Sequence, residues 1–222
     1  MRRTVSSGSC HNWPVNIVDL LAPLSCVFCG TPSAPGEKSI CAGCFQDLPW
    51  NEPSVSPTPG VFECAIAMLH YSFPVDVAIK ALKFNRKLFY VPAFSEVLCR
   101  AEERLPEGID AVLPVPLHWR RKAHRGFNQA TEIAKPFAGL LGVPLLRGVQ
   151  RDQATPFQSG LAAKDRVRNL RRAFQATRTL THNHVLIVDD VLTTGATARA
   201  LAKVVLGNGV RKVSVLTLAR AG

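Results

Sequence analysis

The stretch HVLIVDDVLTTGATARALAKVV, residues 184 to 205, constrains the fold more than any other part of this chain. A β-branched run, Val185 to Val188, ends in two acids, Asp189 and Asp190. The small residues Thr193, Thr194, Gly195, Ala196 and Thr197 then turn the chain, and a helix over 196 to 206 begins at once. A strand feeding a helix through a tight turn is the building unit of an α/β sheet. Gly195 permits that turn. The turn presents backbone N–H groups and hydroxyls at a helix N-terminus, which attracts anions through the helix dipole and the unsatisfied donors. The two acids stand at the C-terminal edge of the strand, where ligands of open α/β sheets bind. Carboxylates there accept hydrogen bonds from vicinal sugar hydroxyls.

Two other readings compete at this point. An apolar strand ending in Asp-Asp holds Mg²⁺ in some ATPases, but no G-x4-G-K-[ST] phosphate loop occurs anywhere in the chain. A capped helix beside exposed acids is the plain structural alternative.

The rest of the chain repeats the same alternation. A strand is expected over 61 to 71, helices over 74 to 87 and 91 to 104, and a short strand over 111 to 115. A helix over 127 to 141, a strand over 143 to 146, a long loop over 148 to 172 and a last strand over 213 to 218 follow. Strands alternating with helices predict a mostly parallel sheet flanked by helices. With 47% hydrophobic residues, 222 positions suffice for a sizeable core. No apolar run approaches the roughly 18 to 20 residues that span a bilayer, so no membrane insertion is expected. The N-terminal segment lacks a continuous apolar signal region, and the expected compartment is the cytoplasm.

Charge is concentrated. The chain has 27 Lys+Arg against 16 Asp+Glu, and residues 118 to 180 alone carry 13 basic and 3 acidic side chains. The excess falls in two runs: Arg120, Arg121, Lys122 and Arg125, then Lys164, Arg166, Arg168, Arg171 and Arg172. Such a segment implies an anionic partner, whether a phosphorylated small molecule, pyrophosphate or a nucleic-acid backbone. The bland alternative is a solvated basic face.

Four of the seven cysteines fall as Cys26-x2-Cys29 and Cys41-x2-Cys44. Two such knuckles suit a tetrahedral structural Zn²⁺ site, which would replace the core that so short a segment cannot build. An iron centre and metal-free thiols are the alternatives. Cys10, Cys64 and Cys99 stand alone and are expected to be buried or free thiols. Pro49, Pro53, Pro57 and Pro59 mark a stiff linker. The expected organisation is a tail over 1 to 14, a zinc-ribbon module over 15 to 50 opening on a short helix at 15 to 24, a linker over 51 to 60, and an α/β domain over 61 to 222.

VDDVLTTGAT closely resembles the phosphoribosyl pyrophosphate motif of the type I phosphoribosyltransferases. AVLPVPLHWRRKAHRGFNQA, residues 111 to 130, resembles the strand, pyrophosphate loop and helix of the ComF family within that group. RDQATPFQSGLAAKDRVRNLRRAF, residues 151 to 174, is similar to that family's flexible loop, and a cysteine ribbon before the transferase domain agrees with it. The resemblance spans about residues 15 to 220. It implies a type I phosphoribosyltransferase-like domain binding phosphoribosyl pyrophosphate, or a related sugar phosphate, with Mg²⁺. Asp189 and Asp190 would hold the ribose hydroxyls and Thr193 to Thr197 would cradle the 5′-phosphate. Arg125 and Arg166 would stabilise the departing pyrophosphate, and Lys83 matches a basic position of the family. After that lysine the family usually shows Gly-Asp, whereas this chain has Asn85, Arg86 and Lys87.

Two functions follow from the resemblance. One is a pentosyl-transferring glycosyltransferase, a phosphoribosyltransferase whose acceptor is open because no base-recognising hood is identifiable. The other is a competence factor for DNA uptake that uses the fold as a scaffold, binding single-stranded DNA and a helicase-like partner. Trp119, Phe127 and Phe157 are too few to establish base stacking by themselves.

Overall fold

The computed structural model describes residues 25–32, 39–52, 61–152 and 173–222. The expectations for a helix at 15 to 24, for most of the proline linker, for Arg166 and the second basic run, and for Phe157 lie outside these residues.

A four-stranded, all-parallel sheet forms the centre, with β1 (Ala65–His70), β2 (Ala111–Pro114), β5 (His184–Leu192) and β6 (Lys212–Arg220) in the order β1-β6-β5-β2. Helices cover both faces, as a parallel sheet requires when neither face can meet water. On one face lie α2 (Val75–Asn85), α3 (Tyr90–Cys99) and α5 (Gln129–Leu141). On the other lies α6 (Ala196–Leu206). Each long helix buries one stripe at helical spacing: Val75, Ala78, Ile79 and Leu82 in α2, and Ala198, Leu201, Ala202 and Val205 in α6. Fully burying one such leucine contributes about 1.5–3 kcal/mol. The fold class therefore matches the expectation from sequence.

The cysteine module contributes the five-residue helix α1 (Ala42–Gln46) and packs into the larger core through Cys26, Ile40 and Leu48. Its following segment runs antiparallel beside β1. The Asn51 N–H donates to the Met68 carbonyl at 2.9 Å and the His70 N–H to that of Pro49 at 2.8 Å. The outer backbone groups of β1 are thus paired, which blunts one edge of the sheet.

Four expectations change. Residues 149 to 151 are not loop: β3 (Val149–Arg151) pairs antiparallel with β4 (Phe174–Ala176). The first basic run, expected as a loop, is the helix α4 (Trp119–Arg125). His118 caps it, its Nδ1 accepting from the Arg120 N–H at 3.2 Å, and Gly126 ends it at φ 86°. Strand 185 to 188 extends to Leu192, so both aspartates belong to β5 itself. Residues 143 to 146 add only an isolated parallel bridge, Leu145 to Val112. No helix of the described residues is long and apolar enough to cross a membrane.

Candidate functional site at the C-terminal edge of the sheet

Asp189 and Asp190 lie in the C-terminal half of β5, and three other elements bring cations to them. From α2, the Lys83 ammonium lies 2.8 Å from Asp190 Oδ2, and only 6% of the Asp190 side chain is exposed. From α4, Arg125 donates to Gln129 Oε1 at the start of α5, and its guanidinium sits 5.8 Å from the Phe84 ring centre. From β3, the charge of Arg151 reaches Asp189. Lys83 thus pairs with Asp190, the charge of Asp190 acts on Arg125, and those of Lys83 and Arg151 act on Asp189.

Electrostatics at the acids follow from burial. Desolvation first, then the neighbouring Asp190 charge, push Asp189 up to about 7, against the pull of Lys83 and Arg151. Burial pulls both Arg125 and Arg151 downward, with Arg121 adding repulsion to each. A partly dehydrated pair of acids ringed by partly dehydrated cations is poised to exchange partners with a ligand bearing hydroxyls and negative charge.

The small-residue loop behaves as its composition requires. Gly195 takes φ 70° at the N-cap of α6, a left-handed conformation that costs other residues about 1 kcal/mol. Thr194 Oγ1 accepts from the Ala196 N–H at 3.4 Å. The first-turn amides beyond it point out of the helix end, where an anion can meet them.

Sequence reasoning missed two cations here. Arg199, one turn into α6, folds back so that its Nη2 donates to the Thr194 carbonyl at 2.5 Å. Its place four residues after Gly195 was the available signal. Arg151 was concealed by the lack of periodicity around β3. The departure after Lys83 is also resolved. Arg86 itself takes the left-handed conformation, at φ 55°, where glycine would be unstrained, and its Nη2 donates to the His124 carbonyl at 2.6 Å. The turn is kept and α2 is tied to α4.

In the ribbon, the Sγ atoms of Cys26, Cys29, Cys41 and Cys44 lie within 4.8 Å of one another, and those of Cys29 and Cys41 are 3.8 Å apart. Sulfurs held at Zn–S of about 2.3 Å on the corners of a tetrahedron stand about 3.8 Å apart. The donor set and spacing fit a structural Zn²⁺. Hydrogen bonding to Thr31 pulls the Cys29 thiol down to about 6, so one ligand ionises readily at neutral pH.

Comparison with known proteins agrees with the ribbon and gives the chain relatives along most of its length. Residues 17–55 match the double zinc ribbon domain family. The chain is 31% identical to DNA utilization protein YhgH of Salmonella typhi over 225 residues, covering 90% of this chain and 99% of that one. It is 34% identical to competence protein F of Haemophilus influenzae over 164 residues, 68% of this chain and 70% of that one. Among solved structures, glutamine phosphoribosylpyrophosphate amidotransferase from B. subtilis aligns with a TM-score of 0.38 at 20% identity, covering 56% of this chain and 25% of that chain. With relatives of this identity along nearly its whole length, the chain belongs to the ComF family, that of competence protein F and DNA utilization protein YhgH.

Proposed function

We propose that the C-terminal edge of the sheet binds phosphoribosyl pyrophosphate with Mg²⁺ and passes its phosphoribosyl group to a nucleophile. The observation that carries this reading is the convergence of Asp189, Asp190, Lys83 and Arg125 beside an open helix N-terminus. In it, Asp189 and Asp190 accept hydrogen bonds from the ribose hydroxyls, and Thr193, Thr194, Gly195, Ala196 and Thr197 surround the 5′-phosphate. Lys83 and Arg125 face the pyrophosphate, and Arg166, outside the described residues, keeps the stabilising role that the resemblance implies. As the bond from the anomeric carbon to pyrophosphate breaks, the leaving group takes the electron pair and the acceptor's lone pair forms the new bond. The acceptor's proton is released to water. Fixed cations beside the leaving oxygens stabilise the charge that grows there. The carboxylates and phosphate oxygens are a hard donor set that suits Mg²⁺, which would neutralise part of the pyrophosphate charge.

The test is calorimetric titration of phosphoribosyl pyrophosphate with Mg²⁺ into the wild-type protein and the Asp189→Asn, Asp190→Asn double variant. Binding by the wild type that the variant loses, with the far-ultraviolet spectrum retained, is the expected result. No binding to the wild type would overturn the reading.

A second reading is favoured by the names of the relatives, DNA utilization protein and competence protein. In it the same basic region serves single-stranded DNA handling, in company with a helicase-like partner. The domain division given from sequence, with the ribbon as a separate module before residue 51, belongs to both readings.

A further inference from the structure

Beside the acids, on the outer side of β2, a groove of about 510 Å³ runs between α4, the start of α5 and β3. Four cations line it, Lys122, Lys135, Arg147 and Arg151, against one acid, Asp152. Lys135 is partly neutralised by Glu132 at 3.0 Å, whereas Lys122 and Arg147 are exposed. At the rim stands Trp119, 63% exposed, with the Arg120 guanidinium 5.2 Å from its ring centre. An indole so exposed has no stabilising role in the core.

The position of that indole is fixed from beneath. His118 is 4% exposed, and its ring joins the α4 N-terminus through Nδ1 to the Asp152 carbonyl at 3.2 Å through Nε2. Trp119 therefore projects from a rigid joint between α4 and β3. Pro114 and Pro116 give the lining an apolar part and Thr131 a hydroxyl, while the Asn128 amide bonds the Val115 carbonyl and the Ala130 N–H. A flat π surface, a partly apolar lining and cations spaced along a trough are the features that receive a nucleobase together with its phosphate.

We infer that this groove binds a nucleotide unit, its base stacked on Trp119 and its phosphate held by Lys122 and Arg147. The inference deepens the nucleic-acid reading by giving it a site, and it is independent of the sugar-phosphate reading. A mononucleotide and a nucleotide within single-stranded DNA present the same chemistry to the groove. Arg151 belongs both to this groove and to the surroundings of Asp189, so a bound nucleotide lies next to the sheet-edge site.

The test has two ligands and three proteins. Anisotropy of a labelled oligothymidylate of about a dozen nucleotides and calorimetry with thymidine monophosphate are measured on the wild type, on Trp119→Leu and on the Lys122→Glu, Arg147→Glu double variant. The expected result is binding by the wild type that falls about tenfold in Trp119→Leu. The double variant is expected to bind more weakly with a salt dependence shallower by about 0.7 in log–log slope, the loss of one phosphate contact on a single strand. Trp119→Phe, which keeps a π face, is expected to recover most of the loss. A retained far-ultraviolet spectrum and urea midpoint in each variant check that the fold is intact. Equal oligonucleotide binding by wild type and variants would overturn the groove while leaving the nucleic-acid reading standing. Monophosphate binding without oligonucleotide binding would support the groove and remove the polymer as its ligand. Binding of neither would overturn the inference.

Discussion

The ammonium of Lys83 lies 2.8 Å from Oδ2 of Asp190, joining α2 to the end of β5 where the other cations converge. One member is almost fully buried and the other one-fifth exposed, so the pair is sheltered from water and salt. Removing only the cation leaves a carboxylate that the surroundings solvate poorly. The Lys83→Met variant is therefore expected to unfold about 2–4 kcal/mol more easily in urea. Adding Asp190→Asn to it should recover a large part of that loss. A single variant as stable as wild type would show that the pair contributes nothing to the fold.

Asp189 gives the site a pH dependence. Its pKa of about 7 is set first by desolvation and then by Asp190. If the ionised form accepts the ribose hydroxyls, the binding-competent fraction grows as pH rises through 7. Affinity for phosphoribosyl pyrophosphate should then increase about tenfold from pH 6 to pH 8 beyond any change in the ligand's own ionisation. The Asp189→Asn variant should lose that part of the dependence. A wild-type affinity that declines over the same range would contradict the assignment.

Metal removal should act on the domain as well as on the ribbon. Cys26, Ile40 and Leu48 are part of the larger core, and the Phe28 ring lies 6.2 Å from that of Tyr90 on α3. Native protein is expected to contain about one zinc per chain, and chelation should unfold the ribbon and uncover that face of α3. Hydrogen exchange measured before and after chelation checks this. Faster exchange confined to the ribbon, with α3 unchanged, would show the two to be energetically separate.

The parts of this molecule legible in the sequence were those with a long period. β5, α6 and the buried stripe of α2 each repeat apolar residues often enough to specify both type and facing side. Among the short elements β2 was legible from its apolar run, whereas those that rest on pairing or capping were not. β3 and β4 have three residues each and exist because they pair with one another, a relation that no local pattern carries. α4 was hidden for another reason: a run of cations has no apolar stripe, and its helix rests on the His118 cap, Gly126 and the bond from Arg86. Of the site, the motif residues and Arg125 were visible because they lie in recognisable strings. Arg151 and Arg199 became visible only when the ribbon and the first turn of α6 were folded against the acids.

At the opposite edge of the sheet, His184 supplies a check on the core that does not involve the site. Its ring is buried with Nε2 2.9 Å from Ser214 Oγ, which is fully buried. Burial lowers its pKa below 6.5, with Lys212 pulling the same way; the backbone contact with Glu107 and the charges of Glu63 and Asp110 oppose this. Above pH 6.5 the ring is neutral in both folded and unfolded chains and adds no pH dependence. As pH falls below about 6.5 the unfolded chain takes up a proton that the folded one resists, so stability declines until the folded pKa is passed. Urea unfolding between pH 7.5 and about 5 should show this decline with a slope near one proton, and His184→Gln should flatten it. An identical slope in the variant would place the proton uptake on another group.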